Sequence, residues 1–549
     1  MTATPSKIAY FSAEIGISPS LHTYSGGLGI LAGDHIKAAA DQQLDIVAVT
    51  LLYKEGYFKQ RMDENGNQTE MYPRFSPSPL VEETGVEVTL PLRGRDVKVK
   101  VWKYTFLGYH GNPIPVYLLD SDVEGNHPDD RIITLRLYSG GKDHRILQEA
   151  ILGFAGIRAL EELGHDEIAT YHMNEGHCSF LTLELLRKYE GNEEEVRKRC
   201  VFTTHTPVPA GHDHFGFHRV ERLVGDLIPR DLKLPSMVLN SRVHMTELGL
   251  YFSRAANGVS ELHGHVARKQ FPQFNIKHVT NGVFHRYWVG KIFRELFDRH
   301  FPGWRTEPEL LLGMDDIPDD EIQFAHRSQK GFLLDYANAQ TQRALAFDRL
   351  TIGFARRAAE YKRARLIFSD PERLKRIAAH KIQLVFAGKA HPNDNNGKQI
   401  LRDIVSMANQ LFGDVKVVFL ENYNMWLGRL ITSGVDVWLN TPLRPNEASG
   451  TSGMKATLNG VPNLSILDGW WAEACEHGVN GWAIGNPDQP NDASDADDLY
   501  RILEEEVIPI YYNDRPRWLN IRRAAIKTGV QFTAHRMVQE YRKLYYDNP

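Results

Sequence analysis

Short apolar runs alternate with longer segments of helical periodicity along most of the chain. β-Rich runs separated by helix-length segments predict βαβ units and a mainly parallel sheet. In the first half we predict strands at 8–11, 45–52, 86–90, 116–119, 168–171 and 201–203, and helices at 28–40, 146–163 and 180–189. In the second half we predict strands at 350–354, 382–387, 415–420, 435–439 and 463–466.

The alternation occurs in both halves of the chain, which predicts two domains. A length of 549 residues also exceeds the roughly 100–200 residues of an ordinary domain. We therefore expect an α/β fold with two Rossmann-like domains facing each other across a cleft. We place the domains at 1–290 and 291–549, because a helical, Pro- and Asp-rich stretch at 285–345 marks a boundary. The last helical segment, 515–546, is expected to pack back toward the N-terminal domain.

The composition is that of a globular protein, with 42% hydrophobic and 24% charged residues. A net charge of −5 gives no reason to expect nucleic acid or an anionic membrane as a partner. Three separated cysteines form neither a disulfide framework nor a zinc signature, so we expect a reducing compartment. The sequence shows no secretory signal pattern and no apolar run of the roughly 18 residues that suggest a membrane span. These features predict a cytoplasmic location.

The most informative stretch is the lysine segment, residues 447–455, which reads Glu-Ala-Ser-Gly-Thr-Ser-Gly-Met-Lys. Its small residues precede a helical pattern, so free backbone N–H groups and the helix dipole would face a phosphate. Lys455, one step inside that helix, is placed to form a Schiff base or to pair with the phosphate. On this segment alone, a helix N-cap followed by a surface lysine is an equally good interpretation.

The basic segment, residues 355–365, carries five basic residues in the ten positions from Arg356 and directly follows a predicted strand. Basic side chains at the carboxyl end of a parallel strand point into the crevice where α/β folds bind ligands. Arginine forks and a lysine there would hold a dianion. The alternative, a solvated basic helix face, is needed only for Arg363 and Arg365. Tyr361, which lies between charges, suggests a side chain in contact with something polar.

A glycine-rich loop at 24–34 reads Tyr-Ser-Gly-Gly-Leu-Gly-Ile-Leu-Ala-Gly-Asp and enters a predicted helix. Such a loop can cradle a phosphate or a sugar. It does not match the G-x-G-x-x-G fingerprint, so a nicotinamide site is disfavoured. Tight packing of the helix on the sheet is the alternative, and this loop alone is weak evidence for a ligand.

Three polar patches add to this pattern. Asn174-Glu175-Gly176-His177 and Thr204-His205-Thr206-Pro207 each follow a predicted strand, and Thr280-Asn281-Gly282 precedes Arg286-Tyr287-Trp288. Asn, His and Glu at strand ends are the groups that a sugar-binding cleft uses for hydroxyls. Taken singly, each patch is better explained as a loop cap or a satisfied core group. The histidines show no zinc-ligand spacing and no G-x-S-x-G elbow is present, so we expect neither a metal site nor a serine hydrolase.

Together these stretches resemble the glycogen and maltodextrin phosphorylases, particularly their shorter bacterial and archaeal form. The resemblance extends from Tyr10-Phe11-Ser12-Ala13-Glu14 to Ala534-His535-Arg536-Met537, and the Glu-Ala-Ser-Gly-Thr-x-x-Met-Lys pattern is highly specific to that family. It implies a GT-B type glycosyltransferase fold and pyridoxal 5'-phosphate as cofactor. It also implies phosphorolysis of an α-1,4-glucan (glycogen, starch or maltodextrin) by orthophosphate, giving α-glucose 1-phosphate with retention. Dimers are common in the family, so a homodimer is a further expectation.

The resemblance also implies residue roles at matching positions of this sequence. The expected catalytic residues are Lys455, Arg357, Lys362, His205 and Glu447. The cofactor is expected to contact Lys455, Arg356, Gly450, Thr451, Ser452, Trp288 and Tyr423. The substrate phosphate is expected to contact Arg357, Lys362 and the backbone of Gly27 and Leu28. The glucan is expected to contact His205, Asn281, Tyr361, Glu447 and Ser449, together with Asn174 and Glu175.

Two positions depart from the longer phosphorylases: Ser452-Gly453 replaces a Gly-Asn pair, and Asn424 stands where they carry arginine. Two rival interpretations stay open. A nucleotide-sugar-dependent glucan synthase shares the fold and a Gly-Gly-Leu-Gly loop, but it has no need of Lys455. A carbohydrate-binding or regulatory protein without catalysis is disfavoured by the joint presence of Lys455, Arg357, Lys362 and Glu447.

Overall fold

The computed structural model describes residues 7–229 and 242–547, which form two compact units. Unit 1 comprises the described residues within Met1–Phe58, Tyr72–Thr280 and Met537–Pro549. Unit 2 comprises Lys59–Met71 and Asn281–Arg536. A short segment from the N-terminal part of the sequence therefore belongs to the unit that is built mainly from the second half.

The strands in chain order are β1 Ile8–Phe11, β2 Ile46–Leu51, β3 Lys59–Met62, β4 Gln68–Met71, β5 Glu82–Leu92, β6 Arg95–Leu107, β7 Pro113–Asp120, β8 Thr170–Asn174, β9 Cys200–Thr203, β10 His214–Gly216, β11 Arg242–His244, β12 Ala255–Gly258, β13 Ile276–His278, β14 Leu350–Ala355, β15 Ile382–Ala387, β16 Lys416–Leu420, β17 Val437–Asn440, β18 Asn463–Ile466 and β19 Gly481–Ile484.

The α-helices are α1 Gly27–Asp41, α2 Pro128–Arg131, α3 Lys142–Ala150, α4 Gly156–Glu162, α5 Leu181–Lys188, α6 Glu193–Arg199, α7 Phe217–Val224, α8 Met245–Tyr251, α9 Glu261–Gln270, α10 His285–Trp288, α11 Lys291–His300, α12 Asp319–Thr341, α13 Pro371–Ala378, α14 Asn395–Gln410, α15 Met425–Gly434, α16 Thr451–Thr457, α17 Trp471–Ala474, α18 Asp492–Ile502, α19 Ile508–Asn513, α20 Arg515–Gln531 and α21 Ala534–Tyr541. π-Helical turns occupy Ile151–Ala155, Leu503–Val507 and Arg542–Tyr546. None of the described helices combines the length and apolar character needed to cross a membrane.

Unit 1 is built on a nine-stranded sheet with the order β13-β12-β9-β8-β1-β2-β7-β6-β5. The strands from β13 to β7 are parallel, and β6 runs antiparallel to both of its neighbours. Chain order reverses direction across the β1–β8 pair, which is the doubly wound arrangement. Ligands of such sheets bind at the carboxyl ends of the strands beside this switch point.

Unit 2 is built on a six-stranded parallel sheet with the order β16-β15-β14-β17-β18-β19. This is the Rossmann order, with the switch point between β14 and β17. The basic segment begins at the end of β14, and the lysine segment comes after β17. The strand order therefore brings these two stretches to the same edge of the sheet.

The prediction of an α/β fold with mainly parallel sheets is confirmed. Every predicted strand overlaps an observed one, because strands buried on both faces read as apolar runs. The predicted helix 146–163 is a continuous helical run through α3, a π-helical turn and α4. Strands β6, β10, β11, β12, β13 and β19 and the β3–β4 hairpin were not predicted. The arrangement of two domains across a cleft stays a prediction.

The last described residues of the chain belong to unit 1. The Tyr546 hydroxyl lies 2.5 Å from Nδ1 of His172 in β8, and Asn257 in β12 donates a hydrogen bond of 2.9 Å to the Tyr541 hydroxyl. Arg254 donates to the Tyr545 carbonyl oxygen at 2.5 Å. These polar contacts fix the end of α21 and the final π-helical turn against the sheet of unit 1.

Candidate active site

The lysine segment forms a tight turn followed by the short helix α16. Gly450 caps the helix with a φ of 87°, a left-handed conformation that favours glycine, and no side chain caps the first turn. Lys455 is the fifth residue of α16, in its last turn, so the prediction of a lysine one step inside the helix is wrong. Its side chain is buried, since Lys455 is only 6% exposed, and this burial excludes the surface-lysine alternative.

The side chain of Lys455 lies against an aromatic ring. Its Nζ atom is 3.8 Å from the centroid of the Trp288 ring, within the range of a cation–π contact. Asn459 ties the two backbones together, because its Nδ2 donates to the carbonyl oxygens of Trp288 at 3.0 Å and Lys455 at 2.8 Å. Tyr423 packs against the apolar cluster that includes Ala456 of the same helix.

A buried carboxylate joins the lysine segment to the basic segment. The Oε2 atom of Glu447 is 2.6 Å from both Arg356 Nη1 and Lys362 Nζ. Burial opposes ionisation of Glu447, but the charges of Arg356 and Lys362 outweigh it and lower the pKa to about 2. Lys362 Nζ also lies 4.5 Å from the centroid of the Tyr361 ring. Arg356 and Lys362 therefore form a buried pair of cations whose counter-ion is the Glu447 carboxylate.

A second carboxyl group, that of Asp468, holds the turn that presents Glu447. Asp468 follows β18 and accepts the backbone N–H of Glu447 at 2.9 Å and that of Gly469 at 2.8 Å. Burial and the nearby charge of Glu447 raise the pKa of Asp468 to about 7. This group was not singled out by the sequence analysis, because its role depends on a contact across 21 residues.

Two further basic residues of this segment, Arg357 and Arg363, differ in their exposure to solvent. Arg357 is exposed, and its charge acts on Tyr361. Arg363, interpreted as part of a solvated face, has a side chain only 7% exposed and forms ion pairs with Asp492 and Asp495. That interpretation is wrong for Arg363, because its guanidinium is buried and paired with these acids.

Buried oxygens of unit 2 with no hydrogen-bond partner among the described residues include Asn281 Oδ1, Ser449 Oγ and Ser452 Oγ. Ser449 and Ser452 flank the uncapped start of α16. Buried polar atoms are normally paired, so oxygens of this kind mark places where a ligand or water completes the hydrogen bonds.

In unit 1 the two polar patches after β8 and β9 come together. His205 Nε2 lies 2.6 Å from Oδ1 of Asn174. Glu175 has a φ of 85°. Its Oε2 accepts hydrogen bonds from the backbone N–H of His205 at 2.7 Å and from the Thr206 hydroxyl at 2.9 Å. Burial lowers the pKa of His205 to about 3, so its imidazole is neutral at physiological pH. Asn174 and Glu175 therefore orient His205, and a neutral imidazole can both donate and accept hydrogen bonds.

The glycine-rich loop of unit 1 packs tightly along α1 and is open at the start of that helix, and its contact with a ligand stays a prediction. A Cβ atom on Gly33 would lie 2.1 Å from the Gly16 carbonyl oxygen, so the body of α1 packs tightly on the neighbouring chain. At its start, no atom lies within 4 Å of a Cβ built on Gly27, and no side chain caps the helix. Glu14 fixes the loop by accepting the Ser25 N–H at 2.7 Å. Gly27 and Leu28 thus begin a helix whose N–H groups are available to an anion.

Comparison with known protein families finds two matches along the chain. A carbohydrate phosphorylase family model matches residues 228–480, and a starch synthase catalytic domain model matches residues 7–272. A maltodextrin phosphorylase of Thermococcus litoralis is 40% identical over 98% of this chain and 70% of its own length. Glycogen phosphorylases of Mycobacterium tuberculosis and Aquifex aeolicus are 37% and 36% identical, over 99% and 98% of this chain and 71% and 86% of their own lengths.

The chain belongs to the carbohydrate phosphorylase family.

Membership of the carbohydrate phosphorylase family implies pyridoxal phosphate, and the residues of unit 2 fit that group. A buried lysine for the aldehyde stands against the Trp288 ring, and the helix that carries it starts without a side-chain cap. The unpaired Ser452 hydroxyl at that helix start is a donor suited to a phosphate oxygen. Within the described ranges, no group of three His, Cys, Asp or Glu side chains is arranged to hold a metal ion.

Some residues that hold candidate site groups have roles that the sequence did not predict: Glu14 within unit 1, and Asn459 and Asp468 within unit 2. Each acts through hydrogen bonds to backbone groups distant in sequence. A single sequence carries no local signal for such contacts, whereas glycines, basic runs and a lysine after a glycine loop have recognisable patterns.

Proposed function

We propose that the protein is an α-1,4-glucan phosphorylase that uses orthophosphate to release α-glucose 1-phosphate from the non-reducing ends of glycogen or maltodextrin. The observation that carries the proposal is the buried Lys455 under the Trp288 ring, on the same segment as Glu447. A synthase that takes glucose from a nucleotide sugar has no need of such a lysine. The relatives named maltodextrin phosphorylase and glycogen phosphorylase support this reaction.

Lys455 is the proposed attachment point of pyridoxal 5'-phosphate, with Trp288 and Tyr423 beside the cofactor ring. The side chain of Arg356 and the N–H groups and hydroxyls of Gly450, Thr451 and Ser452 would hold its phosphate group. When bound there, the cofactor supplies a fixed phosphate dianion. The uncapped start of α16 and the unpaired Ser452 hydroxyl support this assignment.

Arg357 and Lys362 are the proposed ligands of orthophosphate. Lys362 is already paired with Glu447, so phosphate exchanges one anion for another at a buried cation. This exchange avoids the cost of leaving a buried charge without a partner. It also releases the Glu447 carboxylate to accept a hydrogen bond from a sugar hydroxyl. In unit 1, the open N–H groups of Gly27 and Leu28 are the proposed contacts to phosphate oxygens.

The glucan hydroxyls are assigned to polar groups in each unit. In unit 2 these are Asn281, Tyr361, Glu447 and Ser449, and the unpaired Asn281 Oδ1 and Ser449 Oγ support the assignment. In unit 1 the proposed contact is His205, held by Asn174 and Glu175. A neutral His205 binds a hydroxyl without bringing a charge that would repel the developing positive charge of the sugar.

The proposed reaction replaces a glycosidic bond by a phosphate ester. A proton of orthophosphate passes to the glycosidic oxygen as the C1–O bond breaks, and the electron pair stays on that oxygen. A phosphate oxygen then bonds to C1 on the same face, which retains the configuration. Arg357 and Lys362 hold the phosphate in place and stabilise its charge during this exchange. Water must be excluded, because it would otherwise capture the same oxocarbenium-like sugar.

The rival function is glucan synthesis from a nucleotide sugar, which the match of residues 7–272 to the starch synthase domain favours. With maltodextrin, pyridoxal phosphate and isotopically labelled orthophosphate, we expect the label to appear in glucose 1-phosphate. With maltodextrin and a nucleotide-activated glucose, we expect no chain extension. Chain extension without phosphorolysis would overturn the proposal in favour of the synthase, and binding of maltodextrin with neither product would overturn it in favour of a binding protein.

A further inference from the structure

The β3–β4 hairpin of unit 2 carries two buried amide side chains. The hairpin pairs residues 59–62 with residues 68–71 in antiparallel register, and most of its side chains are not buried. Gln60 and Gln68 are the exceptions, at 1% and 8% exposed. Burying a primary amide is unfavourable unless its donors and acceptors are paired, so the partners of these two side chains indicate what the hairpin does.

Both amides bind backbone groups of loops at the carboxyl edge of the unit 2 sheet. Gln60 donates from Nε2 to the Gly388 carbonyl oxygen at 2.9 Å and accepts the Asn422 N–H at 2.9 Å. Gln68 accepts the Ala390 N–H at 3.0 Å and donates to the Ala390 carbonyl oxygen at 2.9 Å. Gln60 Nε2 also donates to Gln68 Oε1 at 2.9 Å, so the two side chains form one connected network.

The loop after β15, which these amides bind, lies directly against the basic segment. The Arg356 N–H donates to the Ala387 carbonyl oxygen at 3.1 Å, and the Ala358 N–H donates to that of Lys389 at 3.0 Å. Contact is so close that a Cβ atom on Gly388 would lie 1.9 Å from the Arg356 carbonyl oxygen. The backbone on either side of Arg357 is therefore fixed by the same loop.

The loop after β16 leads to the proposed cofactor contact. The Asn422 backbone N–H donates to the Gln60 side chain at 2.9 Å, and Asn422 Oδ1 accepts the Gln60 backbone N–H at 3.3 Å. Asn422 immediately precedes Tyr423. A shift of Asn422 would therefore move Tyr423 relative to α16. The two amides thus contact the loop beside the basic segment, and Gln60 also contacts the residue before Tyr423.

Attachment of the hairpin does not depend on the amides alone. At its outer part, Glu70 forms an ion pair of 2.8 Å with Lys398 in α14, and Gly66 packs closely on Arg402 and Val405 of the same helix. Glu70 and Gly66 thus attach the hairpin to α14, in addition to the contacts of the two amides with the loops.

We propose that Gln60 and Gln68 are positioning residues for the anion site, acting through the loops at Gly388–Ala390 and Asn422. The inference rests on the proposed function for its kinetic consequence, but the contacts that it invokes can be measured without activity. A displaced loop would misplace Arg357 and Tyr423, and a misplacement of about 1 Å at a reacting site can reduce the rate by about 100-fold.

Hydrogen exchange of the Ala390 and Asn422 amides tests the contacts themselves, with the whole chain loaded with cofactor. In Gln68→Met the Ala390 N–H loses its acceptor and should exchange about tenfold faster, the effect of removing one hydrogen bond. In Gln60→Glu the acceptor for Asn422 is kept and the donor to Gly388 is lost. Exchange of Asn422 should then stay slow. Unchanged exchange of Ala390 in Gln68→Met would overturn the proposal.

Kinetics separates positioning from a merely structural role. For Gln68→Met and Gln60→Glu, we expect kcat/KM for orthophosphate to fall by about 10- to 100-fold. Lys398→Met, which removes the hairpin's ion pair and leaves the loops bound, should stay within about twofold of the wild type. Faster exchange at Ala390 with unchanged kcat/KM would overturn the positioning role. Absence of phosphorolysis in the wild type would instead refute the proposed function, and orthophosphate binding measured by calorimetry would then replace kcat/KM, with the same loss of affinity expected.

Discussion

The ammonium nitrogen of Lys455 lies 3.8 Å from the centre of the Trp288 ring, and Asn459 fixes both backbones. Trp288 comes from α10 and Lys455 from α16, so the pair depends on tertiary packing. An indole ring in this position shields the lysine from water and offers a flat surface to an aromatic cofactor. The Lys455–Trp288 contact is therefore the structural basis for the cofactor assignment.

Trp288→Leu should weaken binding of pyridoxal phosphate by about fivefold, because a stacked aromatic contact contributes about 1 kcal/mol beyond its buried area. Equilibrium dialysis of the cofactor against the purified variant measures this change. Trp482→Leu is a matched control, since Trp482 is equally buried in the same unit but packs in the core around β19. Equal losses of cofactor affinity in both variants would contradict the role of Trp288 as a cofactor contact.

Glu447→Gln should destabilise the phosphate-free protein by about 3–5 kcal/mol, because it leaves Arg356 and Lys362 buried without a counter-charge. Orthophosphate should restore much of this loss, since it supplies the missing anion. Denaturant unfolding with and without phosphate, at constant ionic strength, measures both effects.

Asp495→Asn is the control for that rescue. It breaks the buried Arg363–Asp495 ion pair of the same unit, which lies outside the proposed anion site. Phosphate should therefore stabilise this variant no more than the wild type. A rescue of equal size in the two variants would show that phosphate acts nonspecifically.

Asp468 should make the free energy of unfolding fall as pH rises from about 4 to about 7. Its pKa in the folded protein is raised to about 7, whereas an unfolded aspartate has a pKa of about 4. Between these values the native state binds more protons than the unfolded state, so stability decreases with rising pH. In Asp468→Asn this contribution disappears. The stability of the variant relative to the wild type should therefore increase over this range, and a difference independent of pH would contradict the raised pKa.

Glu447 should have the opposite effect on the free energy of unfolding, and in a different pH range. Its folded pKa is lowered to about 2, so its contribution is present above the unfolded value of about 4 and is lost as pH falls toward 2. The two carboxyl groups can thus be separated by their titration ranges, although they are linked through the Glu447 N–H.

The positions of many strands along the chain were predictable because parallel strands covered on both faces are continuous apolar runs, as in β14 and β15. By contrast, β6 alternates charged and apolar residues, and its exposed face hides it from a search for apolar runs. Strand β12, Ala-Ala-Asn-Gly, is too short and too weakly apolar to be recognised. Both belong to unit 1, where the sheet extends beyond its most apolar strands.

In the candidate site, the sequence predicted residue types better than partners. Lys455 and the basic segment are recognisable because their chemistry is concentrated in short stretches. The pairing of Glu447 with Arg356 joins residues 91 positions apart in the chain. Arg363 was misinterpreted for the same reason, since both of its acidic partners lie in α18, far along the sequence.

The most direct test of the central claim is glucose 1-phosphate formation from maltodextrin and orthophosphate. The assay compares wild-type protein with Lys455→Ala, each stripped of pyridoxal phosphate and then supplied with it. We predict product only from the wild type, and only when phosphate and cofactor are both present, with the variant folded but unable to retain the cofactor. Product from Lys455→Ala without bound cofactor, or from wild type without phosphate, would contradict the account.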